Sequence, residues 1–136
     1  MRAVFVDTSY FVAIIRPRDP WKQAAIKASK SLERVRLLTT DEVLIELLNT
    51  LSKGDAFARV KAVQLVEAIF SKADIHVYPQ SHTSMINGLA LYKKRLDKTY
   101  SLTDCISMSL MRVKGIREIL TNDHHFIQEG FKILMK

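Results

Sequence analysis

The sequence predicts a doubly wound, three-layer α/β/α domain with a mainly parallel sheet of about five strands. Short apolar runs alternate with longer stretches of helical periodicity along the whole chain, the pattern of parallel strands joined by crossover helices. The first run, Ala3-Val4-Phe5-Val6, is continuously apolar, as expected of a strand covered on both faces. With no internal repeat, low-complexity stretch or linker, the 136 residues read as one domain, 1–136, large enough for a core without staples.

The elements follow in order. After the strand at 3–6, a helix is expected over Ser9–Ile15, closed off by Pro17 and Pro20. A helix over Trp21–Arg34 leads to a second strand, Arg36–Thr39. The next helix, Asp41–Lys53, stops at Gly54, where tolerance of positive φ would suit a C-terminal cap. Ala56–Lys72 is helical, Ile75–Tyr78 a third strand, and Thr83–Leu96 a helix. Leu102–Lys114 forms another helix, with Gly115 as its cap. Glu118–Thr121 is the fourth strand, a short helix follows Asp123, and Lys132–Met135 closes the set.

Charge points to a partner. There are 21 Lys plus Arg against 14 Asp plus Glu, a net charge of +7. With Asp7, Glu46, Asp104 and Asp123 set aside, ten acids face 21 basic residues, so a positive exterior surrounds a few special carboxylates. That balance suits a polyanion such as nucleic acid. Cys105 is the sole cysteine, which excludes an intrachain disulfide and fits a reducing cytoplasm. MRAVFVDTSY reaches an acid too early for a signal-peptide core, and no run approaches membrane-spanning length. A cytoplasmic protein is the expectation.

In open parallel sheets, ligands sit beyond the carboxyl ends of the strands, where strand order reverses. Asp7 follows strand one and Asp123 follows strand four; if those strands are neighbours, the two carboxylates converge. Each is equally explained as a helix N-cap. Asp104 closes Ser101-Leu102-Thr103-Asp104, a capping box in form. Yet its helix is apolar on two sides, with Ile106, Leu110 and Val113 on one stripe and Met108 and Met111 on another. A carboxylate entering such a helix is costly unless paired or metal-bound. Glu46 lies at the edge of the Val43, Leu44, Leu47, Leu48, Leu51 stripe, whereas Asp41 and Glu42 read as a solvated, dipole-complementing helix start. Four carboxylates in one pocket repel, and a divalent cation resolves the conflict. An all-oxygen set selects Mg²⁺ or Mn²⁺ over zinc.

Four elements in sequence and spacing resemble the PIN-domain ribonucleases, in particular the VapC-like toxins of type II toxin–antitoxin systems. They are Val4-Phe5-Val6-Asp7-Thr8-Ser9, Glu46 within the helix after strand two, Ser101-Leu102-Thr103-Asp104-Cys105, and Leu120-Thr121-Asn122-Asp123-His124-His125-Phe126 followed by Gly130-Phe131. The resemblance implies a PIN-like fold and a Mg²⁺- or Mn²⁺-dependent endoribonuclease in which Asp7, Glu46, Asp104 and Asp123 are the catalytic, metal-binding acids. It implies supporting hydroxyls at Ser9 and Thr121, a small antitoxin partner and a homodimer. The alternative is a free-standing PIN nuclease of RNA processing or decay, without an antitoxin. Asn122, His124 and His125 fall where the family varies and receive no role. Asp97 reads as a loop acid paired with Lys98 or Lys94 rather than an outer ligand.

RNA phosphate contacts are expected at Arg16, Arg18, Lys93, Lys94 and Lys98, next to Arg95, against the alternative of a solvated basic face. Tyr10, Trp21, Tyr92 and Tyr100 are read as packing rather than base-stacking residues. The resemblance also implies a groove for a partner helix on the helices near Leu47 to Phe70, which carry enough Leu, Val, Ile and Phe to present one. A phospho-receiver domain shares the sheet and an acidic pocket but needs an Asp closing strand three. That strand here ends in Tyr78-Pro79-Gln80.

Overall fold

A computed structural model describes residues 1–72 and 74–136. The chain runs β1 (Arg2–Val6), α1 (Thr8–Ile15), α2 (Lys22–Lys30), β2 (Val35–Thr40), α3 (Asp41–Leu51), α4 (Ala56–Lys72), β3 (Ile75–Tyr78), α5 (His82–Lys94), α6 (Leu102–Lys114), β4 (Glu118–Leu120), α7 (His125–Gln128) and β5 (Lys132–Ile133). The strands form one sheet in the order β3-β2-β1-β4-β5, and every neighbouring pair is parallel. The α/β/α expectation holds, and the sheet is wholly parallel.

Central β1 has helices on both faces, so Val4, Phe5 and Val6 are each 0% exposed; this is why the run carries no polar alternation. The chain leaves β1 to build β2 and β3 on one side, then returns to build β4 on the other. The reversal between β1 and β4 opens a crevice beyond their carboxyl ends.

Some boundaries differ from the sequence reading. α2 stops at Lys30 rather than Arg34. The Ser31 hydroxyl donates to the Ala28 carbonyl at 2.7 Å, competing with the helical ladder, and Arg34 adopts φ 51°. Gly54 is not a left-handed cap: among the described residues only Gly115 and Gly130 are glycines with positive φ. Its small size matters instead, because a Cβ there would lie 3.3 Å from both the Ala58 Cβ and the Leu51 carbonyl oxygen. Gly115 does cap α6 in the left-handed region, at φ 69°.

α6 carries the fold's most consequential burial. Asp104, Cys105, Ile106, Ser107, Met108 and Met111 are all buried, as the methionine stripe foretold, but Val113 is 72% exposed. The Ile106 side lies against α5 at Gly88, where an added Cβ would stand 3.1 Å from the Ile106 backbone. That close approach seats the start of α6, and Asp104 with it, beside the crevice.

Candidate active site

Asp7 continues β1 by donating its backbone N–H to the Leu120 carbonyl at 3.1 Å. It stands at the N-cap of α1, yet its side chain makes no capping bond. The carboxylate instead accepts from Thr121 Oγ1 at 2.8 Å, and only 4% of the residue is exposed. Thr121 is the hub of this corner: its hydroxyl lies 3.0 Å from Ser9 Oγ and accepts the Asp123 N–H at 3.1 Å. Ser9 Oγ accepts the Asn122 N–H at 3.1 Å. Two short hydroxyl side chains thus lock the end of β1 to the loop after β4.

Asp104 is a capping residue that also lines the cleft. It completes the capping box, its N–H donating to Ser101 Oγ at 3.0 Å and its Oδ2 accepting the Ser101 N–H at 3.3 Å. It also faces the crevice, 8% exposed. Asp123 is half-buried and accepts the His125 N–H at 2.9 Å, starting α7. Glu46 reaches in from the half-buried edge of α3.

These four acids, with Ser9, Arg16 and His125, line one open cleft of about 830 Å³. Burial, then the charges of Asp104 and Glu46, push the Asp7 carboxyl up to about 7, against the Thr121 donor. Burial, then Asp123 and Glu46, push Asp104 up to about 6, against the Ser101 N–H and His125. Asp7 Oδ1 and His125 Nδ1 are shielded from solvent without a hydrogen-bond partner. Ligand atoms of Asp104, Asp123 and His125 lie within 4.8 Å of one another. Repelling acids with buried polar atoms left without partners fit a divalent cation.

Other expected residues fall elsewhere. Arg18, Lys93, Lys94 and Lys98 are exposed and outside the cleft lining, and Arg95 turns inward to Glu129. Asp97 stays in solvent, 3.8 Å from Lys98. Tyr100 packs as expected, 5% exposed, and Tyr10 and Trp21 pack against the core, but Tyr92 is 42% exposed. Asp41 and Glu42 are not a solvated face: Asp41 Oδ2 accepts the Gln80 N–H at 2.8 Å, and Glu42 Oε2 accepts from Ser84 Oγ at 3.2 Å. Two residues were missed. His125 enters the cleft, signalled only by its place two residues after Asp123. Glu129, buried under Arg95, Arg112 and Tyr100, left no local signal.

The fold and its acidic cleft at the switch point of a parallel sheet define an α/β/α domain of the PIN-like kind. The profile of the PIN domain matches residues 4–132, and the chain belongs to that family. Its fold is shared with VapC20 of Mycobacterium tuberculosis, described as a sarcin-ricin loop cleaving toxin: TM-score 0.85 and 24% identity over 94% of this chain and 95% of that one. DNA-bound VapBC of Salmonella typhimurium matches at TM-score 0.63 and 16% identity, over 98% and 97% of the chains. FitAcB of Neisseria gonorrhoeae matches at 0.62 and 15%, over 96% of each. No curated protein matches the chain in sequence. Among the described residues, no helix is long and apolar enough to cross a membrane.

Proposed function

We propose that this chain is a divalent-cation-dependent endoribonuclease and the toxin of a toxin–antitoxin pair. The observation that carries the reading is the convergence of Asp7, Glu46, Asp104 and Asp123 in one cleft of a PIN domain. Asp104 and Asp123, with Asp7 and Glu46 beside them, would hold Mg²⁺ or Mn²⁺, which would supply charge neutralisation at the phosphodiester and a lowered pKa for bound water. Thr121 and Ser9 orient Asp7, and the Ser101 N–H orients Asp104. Arg16, exposed on the rim, meets a backbone phosphate, with the more distant Arg18, Lys93, Lys94 and Lys98 guiding the strand. The cytoplasm is the compartment in which such a chain meets RNA.

The antitoxin part rests on the fold likeness to VapBC and FitAB assemblies and on an apolar recess of about 580 Å³ between Ile14, Ile15, Phe57 and Leu65. Phe57 is 53% exposed there, a surface suited to an apolar helix. A free-standing PIN nuclease would use the same cleft without that partner.

Purified protein with Mn²⁺ or Mg²⁺ is expected to cut RNA, and Asp7→Asn and Asp104→Asn to abolish cutting with unchanged circular dichroism. Cleavage persisting in both variants, or full activity in EDTA, overturns the mechanism. Growth arrest on induction, relieved by a small neighbouring-gene product, separates the toxin from the free-standing nuclease.

A further inference from the structure

His125 is held as a ligand is held. Its Nδ1 lies 3.3 Å from Asp123 Oδ1 and 3.8 Å from Asp104 Oδ2, shielded from solvent and without a hydrogen-bond partner. On the far edge of the ring, Nε2 sits 3.0 Å from Thr99 Oγ1. The ring packs on Tyr100 with centroids 5.0 Å apart, and the Tyr100 hydroxyl is tied to Glu129 at 2.9 Å. Orientation is therefore fixed from behind, on a scaffold independent of the cleft.

The hydrogen bond at one imidazole nitrogen decides what the other can do. In the tautomer whose Nε2–H donates to Thr99, Nδ1 turns a bare lone pair towards carboxylate oxygens. Lone pairs facing one another repel, unless a cation lies between them. Neighbouring ligands at right angles around an ion, with bonds of about 2.1 Å, stand about 3 Å apart, close to the spacing from Nδ1 to Asp123. A hydroxyl behind a ligating histidine is the outer support that metal-bound imidazoles use.

The geometry points to His125 Nδ1 as a nitrogen ligand beside Asp104 and Asp123, which makes this site take a transition-series dication, Mn²⁺ or Co²⁺, in preference to Mg²⁺. Imidazole strengthens binding along the transition series, whereas Mg²⁺ keeps to oxygen ligands and water. The inference deepens the metal-dependent reading above and rests on it. Thr99 is the positioning residue: it touches the ring, not the ion.

Metal-free protein loaded with Mn²⁺ and studied by electron spin-echo envelope modulation tests this without relying on activity. Wild type is expected to show coupling to a directly bound ¹⁴N. His125→Phe, which keeps a ring against Tyr100, is expected to lose that coupling. Titration calorimetry is expected to show Mn²⁺ affinity weakened about tenfold or more in His125→Phe and about tenfold in Thr99→Val, with Mg²⁺ affinity nearly unchanged. Wild type that binds Mn²⁺ without nitrogen coupling overturns the inference and leaves the nuclease reading standing. Wild type that binds neither ion overturns both. A metal-loaded protein whose ¹⁵N spectrum shows His125 doubly protonated also overturns the inference, since the ring would then be an ion-pair partner. The wild-type measurements stand whether or not the variants fold.

Discussion

Asp7 and Glu129 are both carboxylates taken out of water, the first 4% exposed as a residue and the second 4% exposed in its side chain. Burial pushes each carboxyl upward. Glu129 nevertheless ends at about 2, because Arg95, Arg112 and Tyr100 all donate to it, at 2.8, 2.7 and 2.9 Å. Asp7 ends at about 7, with one side-chain donor, Thr121, and the like charges of Asp104 and Glu46 against it. Two carboxylates withdrawn from water end in opposite chemistry, and the partners each one meets set the direction. The Glu129 cluster is complete and ties α5, α6 and α7 together. The Asp7 cluster is incomplete, as the proposed cation site requires.

The strongest way to break this comparison is to neutralise an acid in the incomplete cluster. Asp104→Asn is expected to cut the RNA cleavage rate about a thousandfold or more, while leaving metal-free stability at pH 8 the same or higher. A loss of stability matching the loss of rate would place Asp104 with Glu129 as a structural group. Glu129→Ala is the mirror image. It strands two guanidinium groups and a buried phenol, although Arg95 and Arg112 are 35% and 44% exposed and can turn to water. An unfolding free energy lower by roughly 2–3 kcal/mol is expected, measured by urea denaturation and unrelieved by Mn²⁺.

The two clusters also titrate in opposite directions. Unfolded carboxylates titrate near 4. Asp7 and Asp104 sit above that, at about 7 and about 6, so they bind protons more tightly in the folded chain. Their contribution is complete below about pH 4 and lost as pH rises through 6 and 7. Glu129, depressed to about 2, contributes above about pH 4 and fails as pH falls through 2. The metal-free Tm is therefore expected to drop between pH 5 and pH 8, and saturating Mn²⁺ to flatten that slope. Asp7→Asn is expected to stabilise the metal-free protein at pH 8 by roughly 1–2 kcal/mol. A metal-free Tm independent of pH over that window would show that the acids do not share one desolvated pocket.

Three acids of the incomplete cluster could be picked out along the chain because they sit at element ends, whereas Glu46, in the middle of α3, was marked only by its place at the edge of the core stripe. Asp7 and Asp123 follow strands that a parallel topology brings together, and Asp104 opens a helix whose apolar sides make an uncompensated carboxylate costly. The complete cluster could not be read. Arg95 and Arg112 reach Glu129 from 34 and 17 residues away, beyond any local period. Asp41 and Glu42 misled for the same reason, since their partners Gln80, in the link before α5, and Ser84, in its first turn, lie 39 and 42 residues on. His125 opens α7, a helix of four residues, too short for a repeat to give it a face. The end of α2 turned on one serine hydroxyl and one left-handed residue, neither of which leaves a hydrophobic pattern.

Thr121→Val gives the smallest expected effect and the sharpest view of what partner supply does. Valine matches threonine in shape, and the site is 0% exposed, so packing is kept while the hydroxyl is removed. Asp7 then loses its side-chain donor and its carboxyl rises further, while the Asp123 N–H loses its acceptor. The orphaned N–H is expected to cost about 1 kcal/mol, partly offset at low pH, where Asp7 is protonated and needs no donor. The metal-free protein should therefore lose more stability at pH 8 than at pH 5. With metal, Asp7 competes less well for the ion against protons, so half-maximal Mn²⁺ binding should move to higher pH than in wild type. Equal losses at both pH values, with an unshifted binding profile, would mean that Thr121 only fills space beside Asp7.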